Sequence, residues 1–139
     1  MNKPVDKIES GHSRKRVPAG AVQHRTAGPY SPVLEVAADR LVVLSGQVAV
    51  DLDGKLVGET IEEQAVAALD NCRRQLATAG CSFADVFKVN VYLADVAEWS
   101  RFNAVYEAHM PAPQPVRTGV QAVLLSGFRV EIEMWAVKP

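Results

Sequence analysis

Residues 62–95, EEQAVAALDNCRRQLATAGCSFADVFKVNVYLAD, contain the change of hydrophobic period that decides the fold. In the first part, and just outside it, apolar residues form one helical stripe: Ile61, Ala65, Ala68, Leu69, Cys72, Leu76 and Ala79. Thr60 and Glu63 have the spacing of a capping box and Gly80 is a typical C-terminal cap, so a helix is predicted between them. The segment DVFKVNVYLAD then alternates with period two and predicts a strand with Phe87, Val89, Val91 and Leu93 on one face.

Two strands are predicted on the N-terminal side of this stretch. They are VLEVA (33–37) and LVVLSGQVAV (41–50), and the three residues between them could form a hairpin connection. Ser45 and Gly46 interrupt the second strand, where a glycine marks either a simple bulge or a close approach by a ligand. Before both strands, the loop AGPYSP (27–32) holds Tyr30 between two prolines that restrict the backbone.

A second helix and two more strands are predicted on the C-terminal side. Asp95 is a good cap for the helix, and the prolines of PAPQP end it. Its apolar residues at helical spacing are Trp99, Phe102, Val105, Tyr106 and His109, while Asn103 lies off this line and is assigned equally to solvent or to a site. The strands 117–125 and 128–137 are predicted to form a hairpin closed by Ser126 and Gly127.

This order of elements predicts an α+β fold with two helices packed on one face of a single sheet. The other face of the sheet then needs apolar cover, which self-association would supply. The chain has 139 residues, of which 48% are hydrophobic, so one domain with a proper core is expected.

The last two predicted strands carry Arg117 and Glu131 among apolar residues. In the hairpin register Arg117 pairs with Ala136 and Ala122 with Glu131, so the two charges point to opposite faces, offset by about 17 Å. Either a bulge shifts this register, or the arginine of one copy meets the carboxylate of another copy, which we favour. The pair is then either an ion pair in an oligomer interface or a ligand site in which the guanidinium binds a small carboxylate.

Composition argues against several classes of protein. The net charge of -1 provides no field that would attract nucleic acid or an anionic membrane to the body of the protein. Residues 1–26 are basic and are predicted to be an extension, solvated or packed on a partner, that precedes a domain at 27–139. No apolar run approaches the roughly 20 residues of a membrane span, so a soluble, cytoplasmic protein is expected.

Neither a disulfide scaffold nor a metal site is predicted. Cys72 and Cys81 are too few for a scaffold and lack the spacing of redox or zinc motifs. His12, His24 and His109 are scattered along the chain without a ligand pattern.

Several segments, in this order and spacing, resemble the Rid (reactive intermediate deaminase) family, also called YjgF or endoribonuclease L-PSP. They are AGPYSP, LSGQVAVDLDGKLVG, the 62–95 stretch, FNAVYEAHM, PVRTGVQAVLL and VEIE, and they cover nearly everything after residue 26. The resemblance implies a chorismate-mutase-like mixed sheet in a homotrimer, with clefts between subunits. It also implies hydrolysis of enamines, in their imine form, to 2-keto acids and ammonia, without a cofactor.

The resemblance further implies the residues of the site. The catalytic residues are expected to be Arg117, Glu131 and Tyr30, and the substrate-binding residues Arg117, Ser45, Gly46, Asn103 and Gly119. Arg117 would bind the substrate carboxylate and Glu131 would orient a water. Two positions depart from the family pattern: Gly119 stands where some members have a cysteine, and Ser126 replaces a proline in a turn shortened by one residue, which leaves the placement of Glu131 open.

Two other functions remain as alternatives. A non-catalytic module that binds 2-keto acids or similar carboxylates would need Arg117 but not Glu131. An endoribonuclease or translation inhibitor, a function given to some relatives, is disfavoured because the body lacks a basic groove, paired histidines and an aromatic RNA-stacking motif.

Overall fold

A computed structural model describes residues 14–24 and 28–139 of the chain. The strands are β1 (Lys15–Arg16), β2 (Glu35–Val36), β3 (Leu41–Val43), β4 (Val86–Leu93), β5 (Val116–Gln121) and β6 (Val130–Val137). The main sheet has the order β3-β6-β4-β5, in which β6 is antiparallel to both of its neighbours and β5 is parallel to β4. The strands β1 and β2 form a separate antiparallel pair.

Helix α1 (Ile61–Thr78) confirms the prediction for residues 60–80. The hydroxyl of Thr60 accepts a hydrogen bond from the Glu63 amide, and the Glu63 carboxylate accepts one from the Thr60 amide, which completes the capping box. Gly80, at φ +75°, follows the end of the helix. The predicted apolar stripe is buried from Ile61 to Leu76, and burial raises the pKa of the Cys72 thiol to about 12.

Helix α2 (Trp99–His109) connects β4 to β5 and makes their parallel pairing possible. A short turn, Val96–Glu98, precedes it, and there the Asp95 carboxylate accepts a hydrogen bond from the Ala97 amide at 2.9 Å. The two helices share one core with the side chains that β4 and β6 turn toward them. The prediction of two helices on one face of the sheet is therefore confirmed, and the opposite face has no such cover within the described residues.

The predicted hairpin between the last two strands is wrong. β4 lies between β5 and β6, so Arg117 pairs with Val89 instead of Ala136, and Glu131 pairs with Tyr92 instead of Ala122. The segment between these strands passes over the end of β4, where Ala122 donates to the Leu93 carbonyl and Ala94 donates to the Arg129 carbonyl. Ser126 and Gly127 form a short turn within this crossing, at φ 53° and φ 72°. Because β4, α2 and β5 form a parallel crossover unit, one edge of β4 is paired with β5. β6 pairs with the other edge of β4, beside β3, and not with β5.

The predicted hairpin between the first two strands is also wrong, because β2 pairs with β1 whereas β3 pairs with β6. The regular pairing of β3 ends early. The amides of Leu44 and Gln47 donate to the carbonyls of Met134 and Ile132, so Ser45 and Gly46 together oppose the single residue Glu133. This is a β-bulge, one of the two interpretations that the glycine allowed.

The N-terminal segment contributes a buried lysine to the domain. Lys15 is 1% exposed, and its Nζ donates hydrogen bonds to the carbonyls of Val86 (2.7 Å) and Pro113 (3.1 Å). Burial lowers the pKa of Lys15 to about 8, against the opposing effect of Asp85. The division of the chain at residue 26 stays a prediction, and residues 1–13 and 25–27 lie outside the described ranges. Within those ranges, neither helix has the length and apolar character needed to cross a bilayer.

Candidate active site

Arg117 lies on the side of β5 that faces the helices, surrounded by aromatic rings. Its guanidinium carbon is 4.7 Å from the ring centre of Tyr106, 5.0 Å from that of Trp99 and 5.9 Å from that of Tyr30. These distances are within the range of cation–π attraction, which holds the positive charge in place. The Nη1 group donates a 2.8 Å hydrogen bond to the side-chain oxygen of Asn103.

The guanidinium has no carboxylate partner within the described residues. Burial lowers the pKa of Arg117, and the neighbouring Tyr106 and Tyr30 oppose this effect, but an arginine remains a cation in proteins. By contrast, Arg73, Arg101 and Arg129 each form an ion pair. The nitrogens of Arg117 that Asn103 does not use can therefore bind an anionic group from outside this set of residues.

Helix spacing and a tight loop bring these side chains together. Trp99, Asn103 and Tyr106 lie four and then three residues apart, which places them on one face of α2. Tyr30 comes from the loop after Gly28, and this loop is tied to the start of β5 by a 3.0 Å hydrogen bond from the Ser31 amide to the Pro115 carbonyl. The approach is close, because a Cβ added to Gly28 would lie 3.2 Å from Nη2 of Arg117.

Glu131 lies on the opposite, open face of the sheet. A Cβ added to Gly46 would lie 1.9 Å from Oε2 of Glu131, so the bulge places its backbone directly against the carboxylate. Ser45 is exposed beside it. The neighbouring Glu133 accepts hydrogen bonds from Asn90 (3.0 Å) and from the Tyr92 hydroxyl (2.7 Å), whereas the Glu131 carboxylate accepts none from the residues that the structure describes.

The predicted site residues therefore form two separate groups in one chain. We call Arg117, Asn103, Tyr30 and Gly119 the arginine group, and Glu131, Ser45 and Gly46 the glutamate group. The two groups are two strands and three residue rows apart, or roughly 14 Å by ordinary sheet spacings. Arg117 and Glu131 point to opposite faces, as predicted, although the register behind that prediction is wrong.

Sequence reasoning did not assign Trp99 and Tyr106 to the site. Both were interpreted as core residues because they lie on the apolar line of the second helix. A usable signal was their spacing of four and three residues from Asn103, which places the three side chains on one helical face.

A large cavity lies elsewhere and contains no predicted site residue. Its volume is about 860 Å³, and it lies at the end of β4 and β5. The cation in its lining, Arg129, is already paired with Glu98 at 2.9 Å and bonded to the Glu59 carbonyl at 2.7 Å. Arg117, which has no ion-pair partner among the described residues, is therefore a better candidate for binding an anionic ligand than Arg129 in this cavity. Among the described residues, no cluster of three or more His, Cys, Asp or Glu side chains could hold a metal ion.

Comparison with known proteins identifies the family. Residues 21–138 match the family described as Endoribonuclease L-PSP. The chain belongs to the endoribonuclease L-PSP family. A goat (Capra hircus) relative named 2-iminobutanoate/2-iminopropanoate deaminase is 39% identical over 126 residues, which is 89% of this chain and 90% of the relative. The crystal structure of the YjgF gene product from E. coli has a TM-score of 0.67 and 30% identity, covering 75% of this chain and 85% of that chain.

These matches confirm the resemblance to the Rid/YjgF family and the α+β class. They leave the compartment of this endoribonuclease L-PSP family member as a prediction. A Schizosaccharomyces pombe relative, 36% identical over 88% of this chain and 98% of its own length, is named mmf2, mitochondrial.

Proposed function

We propose that this protein is a 2-iminobutanoate/2-iminopropanoate deaminase, which hydrolyses reactive enamines, in their imine form, to 2-keto acids and ammonia. The observation that carries the proposal is the guanidinium of Arg117, half-buried among aromatic rings and without a carboxylate partner in the described chain. Several relatives that bear this name, such as the goat protein, support it.

Arg117 binds the carboxylate of the substrate in this proposal. Two parallel charge-assisted hydrogen bonds from a planar guanidinium fix both the position and the orientation of a carboxylate. Asn103 holds Nη1 at 2.8 Å, and the rings of Tyr106 and Trp99 hold the plane of the group. The arginine is thus oriented before the ligand arrives, which lowers the entropy cost of binding.

The reaction needs one water and two proton transfers. The oxygen of water adds to the carbon of the C=N bond, and the π electrons of that bond move to nitrogen, which takes up a proton. The resulting carbinolamine then breaks its C–N bond: its hydroxyl loses a proton and becomes the keto oxygen, and the nitrogen takes up that second proton and leaves as ammonia. Glu131 accepts the proton of water and delivers it to nitrogen, and the backbone at Gly46 and the hydroxyl of Ser45 orient the adduct.

Because the arginine and glutamate groups are far apart in one chain, we place each site between two copies. In this arrangement, a chorismate-mutase-like homotrimer, Arg117 of one copy faces Glu131 of its neighbour. The exposed apolar residues on the open face support it, since Leu41 and Val43 are 55% and 56% exposed. The mass of the protein in solution tests this point, and a monomer would exclude it.

The function is tested with 2-aminoacrylate generated in situ, by measuring the release of pyruvate with and without the protein. We expect acceleration by the wild type and a loss of at least about a hundredfold in kcat/KM for Arg117→Ala, since a buried charge-assisted contact is removed. Arg73→Ala is the matched control, because Arg73 is an exposed arginine paired with Asp70 on α1. Wild-type activity in Arg117→Ala, or no acceleration by the wild type, would contradict the proposal.

The alternative is a protein that binds small carboxylates, such as 2-keto acids, without turnover. One observation favours it: the arginine group is complete within a single chain, whereas Glu131 has no hydrogen-bond partner among the described residues. Tight binding of pyruvate that depends on Arg117, together with no turnover of any imine, would select this alternative.

A further inference from the structure

Trp99 and Gly119 are in direct steric contact on the helix side of β5. A Cβ added to Gly119 would lie 2.0 Å from Cη2 of Trp99, 2.8 Å from Cζ3 and 3.0 Å from Cζ2. All three atoms belong to the outer six-membered ring of the indole. The indole therefore occupies the space that any side chain at position 119 would need.

The indole of Trp99 also packs against other aromatic rings. Its ring centre is 5.9 Å from that of Phe102, at an interplanar angle of 31°. Phe102 is fully buried and packs in turn on Tyr106, with ring centres 5.8 Å apart. The indole of Trp99 is thus one end of a row of packed aromatic rings, and any shift of the indole disturbs its packing on Phe102.

A ligand on Arg117 necessarily meets the indole. Of the rings that surround the guanidinium, Tyr106 is buried, whereas Trp99 and Tyr30 are partly exposed. Gly119 follows Arg117 by two residues on the same face of β5, a distance of about 6.6 Å. The indole contacts both positions and so forms one wall of the space in front of the guanidinium.

A second space opens one residue row further along β5. This cavity of about 430 Å³ is lined by Val96, Trp99, Gly119 and Val120, none of which carries a charge. An uncharged lining of this kind suits an apolar group. The indole of Trp99 lies at its border, between the cavity and the guanidinium.

We infer that Trp99 and Gly119 together determine the length of side chain that the site accepts, an inference that rests on the proposed function. With the carboxylate on Arg117, the indole limits ligands to 2-imino acids and 2-keto acids with methyl or ethyl side chains. Removal of the indole joins the ligand space to the 430 Å³ cavity and admits longer apolar side chains.

Trp99→Ala tests the inference with imines formed in situ from alanine and from leucine by an amino acid oxidase. We expect the ratio of kcat/KM for the leucine-derived imine to that for the alanine-derived imine to rise at least tenfold. Trp99→Phe, which keeps a ring against Phe102, should give a smaller rise in the same direction. The control Ser100→Ala changes an exposed neighbour on α2 and should leave the ratio unchanged.

Binding provides a readout that does not depend on turnover. Calorimetry measures the dissociation constants of pyruvate and 4-methyl-2-oxopentanoate. In Trp99→Ala the ratio of the first constant to the second should rise, because the longer ligand binds relatively more tightly. If the wild type hydrolyses no imine but this ratio changes, the proposed function fails and the specificity assignment stands. If neither ratio changes in a folded Trp99→Ala or Trp99→Phe protein, the assignment is overturned.

The steric contact itself is tested by Gly119→Ala in two backgrounds. In the wild type, the new methyl group displaces the indole toward Arg117, and we expect a loss of about tenfold in kcat/KM for the alanine-derived imine. In Trp99→Phe, which lacks the outer ring atoms, the same change should cost less than about threefold. Equal losses in the two backgrounds would overturn the inference, because they would show that the contact has no effect on the site.

Discussion

The arginine group and the glutamate group differ in how much of their surroundings one chain supplies. Around Arg117, one hydrogen bond from the guanidinium to Asn103 and three aromatic rings fix a charge that carries no counterion within the described residues. Around Glu131, the backbone of Gly46 lies close and Tyr92 is the cross-strand neighbour, but the carboxylate accepts no hydrogen bond from the described residues and lies on the open face of the sheet. The first group is organised by the fold of one chain, whereas in our proposal the second is completed by a neighbouring copy.

The difference indicates a division of work between binding and chemistry. A rigid cation suits recognition of a carboxylate, which needs fixed geometry before the ligand arrives. A carboxylate that transfers protons must reach both the water and the nitrogen of the substrate. It can do so only when the ligand is bound beside it. Experiments that alter one group at a time should therefore separate KM effects from kcat effects.

The largest effect is expected from mixing two inactive proteins, Arg117→Ala and Glu131→Gln. If the two groups meet between copies of a ring-shaped trimer, random reassembly places both native side chains in about one quarter of the clefts. Deaminase activity should then return to about one quarter of the wild-type value, measured as pyruvate release. Each variant, dissociated and reassembled alone, is the control. Mixtures that remain inactive while forming mixed trimers would show that the groups do not meet between copies.

A smaller effect is expected from adding a methyl group to Gly46 of the glutamate group and to Gly28, which lies against the guanidinium of the arginine group. Gly46→Ala places a Cβ 1.9 Å from the present position of Oε2 of Glu131 and must displace the carboxylate, so we expect a loss of about a hundredfold in kcat. Gly28→Ala places a Cβ 3.2 Å from Nη2 of Arg117, a contact that a small shift relieves, so KM should rise only a few-fold. Steady-state kinetics of both variants would sharpen the comparison, and equal kcat values would contradict it.

The smallest effect is expected on stability, at Lys15 beside the loop that leads into β5. Burial lowers its pKa from 10.5 to about 8, so between these values the unfolded chain binds more protons than the folded chain. Stability therefore rises with pH through this window. Relative to Lys15→Met, the free energy of unfolding of the wild type should increase by about 1 kcal/mol between pH 8 and roughly pH 9.5. Urea unfolding at several pH values measures it, and a flat difference would show that burial does not lower the pKa of Lys15.

Elements whose structure depends on a local pattern of residues could be predicted from the sequence. The capping residues Thr60 and Glu63, the apolar stripe of α1 and the alternation of β4 from Val89 to Leu93 depend on neighbours close in the chain and were predicted. The predicted place of Phe87 on the buried face is wrong, because the register of β4 with β6 shifts between Val86 and Lys88 and Val86 is buried instead. The bulge at Gly46 was one of two interpretations that a glycine in a strand allows.

Pairings between distant segments were not predicted. Ser126 and Gly127 have the composition of a hairpin turn, but composition does not reveal that β4 separates the strands on either side. A strand, a helix and a strand in succession favour a parallel pair, and this rule applied to β4, α2 and β5 would have given the observed parallel pairing. The rings around the arginine group were missed for a different reason, because Trp99 was interpreted as a core residue and its spacing of four residues from Asn103 on α2 was not used.

The position of β6 has a consequence for the order of events during synthesis. This strand is made after β3 and β4, yet it lies between them in the sheet. A growing chain can form both helices on the ribosome but cannot join β3 to β4 until the residues after Phe128 have emerged. The nascent protein must therefore keep the apolar faces of α1 and β4 out of unwanted contacts until β6 has emerged, a period in which a chaperone would protect it.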